Sequence, residues 1–279
     1  MISPSDLSYF IEVAKTKNMS RAAERIGISQ PSLSQAIKRI EDNLGVDVLL
    51  RSKKGVVLTK AGEKLLKHSV GLSNMWDQIK SEVLSSTHEV SGSISIGCHP
   101  SVGFYSLDKF LPSIIEKNKN LEITLHHDLS RNICERVISH EMDIGIVINP
   151  IPHPDLIIHK LCDDEVTLWK SAKNKNEDIL ICDPDLIQTQ DIQKKISKKF
   201  DYKRVITSGS LENIANLTLA GAGVGILPTR VANKVSGNKL KSLSDAPVFK
   251  DKLCVVYRVE NKGVVAISHI VSEIKKALG

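Results

Sequence analysis

Residues 18 to 44, NMSRAAERIGISQPSLSQAIKRIEDNL, constrain this chain more than any other stretch. They read as two short helices joined by a tight turn. Ala22, Ala23 and Ile26 form the apolar side of the first helix, Ser20 is placed to cap it, and Gly27 supplies the permissive backbone of the turn. Ser29 is placed to cap the second helix. Pro31 is tolerated in its first turn, where the missing N–H would be unpaired anyway. Leu33, Ile37, Ile40 and Leu44 recur at three- and four-residue spacing, which sends one face to a core. The other face carries Gln30, Ser34, Gln35, Lys38 and Arg39. Amide and hydroxyl groups near a helix N-terminus, followed by cations, suit a helix lying in the DNA major groove and meeting phosphates as it leaves. The plainer reading is a solvated surface hairpin, so the flanking residues decide.

Upstream, Leu7, Phe10, Ile11 and Ala14 mark a helix that closes a three-helix core. Downstream, Val46–Leu50 and Val56–Leu58 flank the tip Arg51-Ser52-Lys53-Lys54-Gly55, a strand hairpin with a basic tip beside the second helix. From Thr59 to Glu89 the pattern is helical. Leu65, Leu72 and Ile79 fall in one row, with Trp76 and Val83 in a second, giving a heptad-like seam on a helix roughly 45 Å long. Its expected partner is the same helix of a second copy, because a palindromic site needs two heads. The net charge is +6, and residues 1 to 67 hold a surplus of five cations. A basic head on a near-neutral body fits a polyanion-binding module joined to a ligand-binding one.

Ser91-Gly92-Ser93 reads as a linker, and beyond it strands and helices alternate. The strand candidates include Leu156–Leu161 and Val166–Lys170 as separate segments, and Leu253–Tyr257 as the last. This alternation predicts a mainly parallel sheet, divided into two α/β lobes with crossings near Leu161–Glu165 and Tyr257 and a cleft between them. Ligands in such folds bind beyond the carboxyl ends of strands, at helix N-termini. Catalytic and metal motifs are missing. The five cysteines are scattered with no Cys-x-x-Cys, GAGVG follows a helix instead of a strand, and His126-His127-Asp128 reads as a loop entrance. No enzyme activity, cofactor or metal is therefore expected. With no apolar run of about 20 residues and no secretory leader, a cytoplasmic protein without membrane contact is expected.

From end to end the chain resembles the LysR-type transcriptional regulators. The resemblance rests on SRAAERIGISQPSLSQAIKRIEDNLG, on LLRSKKGVVLTKAG, and more weakly on SGSISIG, DIGIVIN and LAGAGVGILP. It implies an α/β protein with a winged helix-turn-helix over 1–60, a linker and dimerisation helix over 61–90, and a periplasmic-binding-protein-like effector domain over 91–279. Lobe I would span about 91–161 and 258–279, and lobe II about 162–257. The implied DNA contacts are Gln30, Pro31, Ser32, Ser34, Gln35, Lys38 and Arg39, with Arg51, Lys53 and Lys54 in the wing. The implied effector contacts are Cys98, His99, Pro100, Ser101 and Val102, then Ile148 and Asn149, then Ser208, Gly209 and Ser210.

Leu65, Leu72, Trp76, Ile79 and Val83 would pair the linker helices, and effector domains would pair further into a tetramer that contacts promoter DNA and RNA polymerase. The chain departs from the family with Leu49 for Phe, Lys60 for Pro and Ala36 for Gln, the last suggesting a lost polar contact. Hydroxyls, a histidine and helix N-terminal amides suit a small organic anion as effector. The alternatives are a thiol-based redox regulator of the same family, with Cys98 acidified at a helix N-terminus, or a solute-binding protein without a DNA role.

Overall fold

The computed structural model of the chain describes all residues except 1, 53, 54, 85–91, 197–199 and 201, and also leaves aside the side chains of residues 52, 74, 77, 78 and 80–84. Helix α1 (Pro4–Thr16) opens on a capping box: Ser3 Oγ accepts from the Asp6 N–H, and the Asp6 carboxylate accepts from the Ser3 N–H, both at 3.1 Å. Helix α2 (Met19–Ile26) is capped by Asn18, whose side-chain oxygen accepts from the Arg21 N–H at 3.0 Å. Ser20, expected as the cap, lies inside the first turn, because Asn18 already satisfies the orphan donor and the helix begins earlier. Ser29 caps helix α3 (Gln30–Leu44), accepting from the Ser32 N–H at 3.2 Å.

Phe10, Val13, Ala22, Leu33, Ile37 and Ile40 close the core of the head. Leu44, assigned to that face by spacing, is 44% exposed, since the last turn of α3 runs past the core to its Gly45 cap. Strands β1 (Leu49–Ser52) and β2 (Gly55–Leu58) pair antiparallel, Leu49 opposite Leu58. The Val56 N–H ties this hairpin to the end of α1 by donating to the Lys17 carbonyl at 3.0 Å. Gly55 makes that approach at φ +124°, where a Cβ would stand 2.8 Å from the same carbonyl oxygen.

Helix α4 (Lys60–Leu84) is 25 residues long, about 37 Å at 1.5 Å per residue. Its apolar row divides. Leu65 packs with Leu66 against the head core, whereas Leu72, Trp76 and Ile79 are 52%, 48% and 43% exposed. The Val83 side chain lies outside the described residues. At Gly71 the helix crosses the body so closely that a Cβ would sit 2.7 Å from His140 Cβ.

The body begins with β3 (Gly92–Cys98), α5 (Pro100–Lys117), β4 (Leu121–His127), α6 (Ser130–Ile138) and β5 (Ile144–Ile148). Next come β6 (Leu156–Ser171), β7 (Ile179–Cys182), α7 (Ile187–Lys195), β8 (Arg204–Thr207), α8 (Leu211–Ala220) and β9 (Val224–Pro228). It ends with α9 (Thr229–Ser236), β10 (Leu240–Ser242), β11 (Phe249–Arg258) and α10 (Val265–Leu278). One sheet runs β4-β3-β5-β11-β6-β9-β7-β8, with β10 beside β6.

The segments expected as two strands, Leu156–Leu161 and Val166–Lys170, are one 16-residue strand. Leu156 to Val166 pair with β11, and Val166–Trp169 pairs with β9. The sheet is mixed where a mainly parallel one was expected: β3–β4, β3–β5, β7–β8 and β7–β9 are parallel, and every pairing through β6 or β11 is antiparallel. The chain leaves the first lobe along β6 and returns along β11, so the two strands must run opposite ways. Leu253–Tyr257 pair with β5, placing the return crossing near Leu253, earlier than the expected Tyr257. Gly92 and Ser93 belong to β3 and not to a linker; Ser91 lies outside the described residues. Among the described residues no helix is long and apolar enough to cross a membrane.

Candidate DNA interface and effector cleft

The outward face of α3 is polar along its length. Gln30, Pro31, Ser32, Gln35, Lys38 and Arg39 are exposed, and Ser34 is half-buried. Arg39 also serves the fold, since its guanidinium meets the buried Asp6 carboxylate at 2.5 Å and binds α3 to the start of α1. Burial alone would raise the Asp6 carboxyl. The Arg39 hydrogen bond and those from Ser3 outweigh it and hold the group below its usual range. From the wing, Arg51 donates through Nη1 to Ser34 Oγ at 2.9 Å and lies 3.8 Å from Glu41. Glu41 in turn accepts from the Val48 and Leu49 N–H groups. The hairpin is thus fastened beside α3, with Arg51 between them. Lys53 and Lys54 lie outside the described residues. Ala36 is fully buried, so the expected loss of a polar DNA contact is not what this departure produces; position 36 falls at the edge of the core arc, next to Ile40.

In the body, the carboxyl ends of β3 and β5 on one side and of β7 and β8 on the other converge at the waist made by β6 and β11. His99 caps α5, its Nδ1 accepting from the Ser101 N–H at 3.3 Å; Pro100 is exposed and Val102 buried. Ser101 is 2% exposed, and its hydroxyl has no hydrogen-bond partner. On the opposite lobe Ser208 Oγ accepts from the Ser210 N–H at 3.2 Å, and Gly209 is exposed. Ser210 caps α8, accepting from the Asn213 N–H at 3.2 Å and donating to Glu212 Oε2 at 2.9 Å.

The two expected contacts at the end of β5 play different parts, Ile148 within the first lobe and Asn149 at the waist. The Ile148 N–H donates to Ser130 Oγ at 3.0 Å. Asn149, at φ +49°, accepts from the Lys252 N–H at 2.8 Å and donates to the Asp251 carboxylate at 2.7 Å, fastening β5 to β11. Gln188 of α7 donates to both oxygens of Asp251 at 3.1 Å, so this carboxylate joins the lobes. Burial is the main influence on Asp251 and pushes its carboxyl up to about 6, against the hydrogen bonds from Gln188 and Asn149. Asp164, directly across the ladder, is also raised, chiefly by burial.

Cys98 is fully buried, its Sγ 3.7 Å from His127 Nδ1. Burial pushes its thiol up to about 11, opposite to the acidified thiol expected at a helix N-terminus. All five cysteines are free thiols. Sequence reading missed Asp183, Gln188, Glu212 and Asp251, and the signal it passed over was the acid two residues after the Ser210 cap. Among the described residues no three His, Cys, Asp or Glu side chains gather to hold a metal ion.

Comparison with known proteins bears on both parts. Residues 4–63 match the bacterial regulatory helix-turn-helix protein, lysR family, and residues 87–279 match the LysR substrate binding domain. The chain is 37% identical over 162 residues to the HTH-type transcriptional regulator BbuR of Bordetella bronchiseptica, a match spanning 58% of this chain and 50% of that protein. It is 26% identical over 281 residues to the HTH-type transcriptional regulator YkuM of Bacillus subtilis, covering 96% of each. In fold it is similar to a full-length variant of OxyR from Pseudomonas aeruginosa (TM-score 0.72, 19% identity, 100% of this chain and 95% of that one). It is similar also to full-length CbnR in complex with its target DNA (TM-score 0.67, 20% identity, 99% of each). Head and body therefore fall within one family, and the chain belongs to it: a LysR-type DNA-binding transcriptional regulator with an effector-binding domain.

Proposed function

We propose that two copies, paired through α4, set their α3 helices in successive major-groove half-sites of a promoter, and that pairs of effector domains build a tetramer. The observation that carries this reading is the two-sidedness of α3. Leu33, Ala36, Ile37 and Ile40 are fully buried, while Gln30, Ser32, Gln35 and Lys38 are exposed on the opposite face beside Arg51. The seam of Leu72, Trp76 and Ile79 supports pairing, since a helix with this much exposed apolar surface gains by covering it.

A small molecule binding between the lobes shifts the placement of the heads, and with it contact to RNA polymerase in the cytoplasm. It can do so only through a difference in affinity for the two arrangements. Gel-shift titration on the DNA flanking the protein's own gene tests this. Gln30→Ala is expected to weaken specific binding roughly ten- to hundredfold with little effect on random DNA, and Lys38→Ala to weaken both alike. Equal losses on both DNAs for Gln30→Ala would refute base reading by this helix.

A further inference from the structure

Resting on the effector reading above, we propose that the cleft takes a ligand bearing a positively charged nitrogen, an ammonium or guanidinium, received by Glu212 and Asp183 opposite His99 and Ser101. The surroundings of His99 define the site. The largest charges acting on its ring are those of Glu212 and Asp183, followed by His127 and Asp128. None of these is a Lys or Arg. Asp183, at the carboxyl end of β7, is buried, and one of its oxygens accepts from the Asp185 N–H at 3.0 Å. Glu212 gives Oε2 to the Ser210 hydroxyl and keeps Oε1 buried with no partner. The Ser101 hydroxyl, in the first turn of α5 beside His99, is the second buried polar atom here without a partner. A buried carboxylate oxygen and a buried hydroxyl left unpaired from the two lobes are a costly arrangement unless a donor fills it.

The features that suggested an anion do not provide for one. The Ser101 amide at the N-terminus of α5 is occupied by His99 Nδ1, and the Asn213 amide of α8 by Ser210 Oγ. An anion would meet two carboxylates and find these helix-end donors engaged. A cation gains from both acids and gives Glu212 Oε1 the donor it lacks.

The test uses the full-length protein and isosteric probes at fixed ionic strength and pH 7.5: n-butylammonium and methylguanidinium against butyrate and n-butanol, followed by thermal unfolding. At several times Kd the cations are expected to raise Tm by about 2 °C or more, and butyrate not at all. Glu212→Gln keeps the size of the side chain and is expected to weaken the cations at least tenfold, whereas Glu212→Asp retains part of the effect. The proposal is overturned if cations stabilise the Gln variant as well as the wild type. Stabilisation by butyrate, lost in Ser101→Val, would also overturn it while leaving an effector cleft in place. Indifference to all four probes would count against both the cation and the cleft as a ligand site.

Discussion

Replacing Asp251 by Asn should make the effector domain respond differently to pH. The carboxyl is 3% exposed, and burial lifts it to about 6 in the folded chain, against about 3.9 when unfolded. A folded-state value above the unfolded one means that the native state holds the proton more tightly. Stability contributed by the protonated group is then complete below pH 4 and lost as pH rises through 6. Integrating between these values, roughly half of a total near 3 kcal/mol is gone at pH 5 and nearly all of it at pH 8, a further loss of between about 1 and 2 kcal/mol across that interval. Asn cannot ionise and escapes this loss. Its amide keeps one acceptor for Asn149, and Gln188 can turn its oxygen toward the new N–H₂, so the hydrogen bonds change by about 1 kcal/mol at all pH values.

The constant part cancels when two pH values are compared. Relative to wild type, Tm of the variant should rise by about 3–6 °C between pH 5 and pH 8, from the scaling for a domain of this size. Removing the charge also relieves Asp164 across the ladder, which acts in the same direction. Calorimetric unfolding at the two pH values measures it. A Tm difference unchanged with pH, or moving the other way, would refute the assignment of a largely desolvated carboxylate at the waist.

Gly71→Val should place methyl groups where His140 Cβ already stands, lowering stability in denaturant unfolding by about 1–3 kcal/mol while promoter DNA still binds the head. Leu72→Asp, repeated in both members of a symmetric pair, should weaken self-association at least a hundredfold; sedimentation equilibrium showing an unaltered dimer would place the interface elsewhere. Cys98→Ser should cost about 1–3 kcal/mol, because a hydroxyl replaces a buried thiol, and leave the response of a promoter reporter to peroxide as it was.

The head was legible in the sequence because its signals are local. Leu33, Ile37 and Ile40 lie on one helix face at fixed spacing, and Ser29 caps the turn it precedes. What failed there also failed locally: Asn18 took the cap from Ser20, and Ala36 sits on the edge of the core arc, where a polar or an apolar residue would both have read plausibly. The body was legible as two lobes but not in its wiring. Polar residues at Asp163 and Asp164 break the apolar pattern and made one strand look like two, although Asp163 is exposed to solvent and Asp164 stands opposite Asp251 at the waist. The cleft was least legible, because its chemistry depends on partners far apart in sequence. Nothing near Asn149 reveals that Asp251 accepts from it, and nothing near His99 reveals Glu212.

The unbroken path of β6 sets how such a protein can move. Sixteen residues at about 3.3 Å each give a bar of roughly 50 Å that belongs to both lobes. With β11 laid antiparallel against it, and a register shift between Leu253 and Cys254, the lobes share a two-strand axle in place of a loose tether. A rearrangement of the lobes around a ligand therefore has to deform this paired segment instead of swinging on a free linker. Such a bar resists winding, so a ligand shifts the heads only by holding one arrangement of the lobes more tightly than the other.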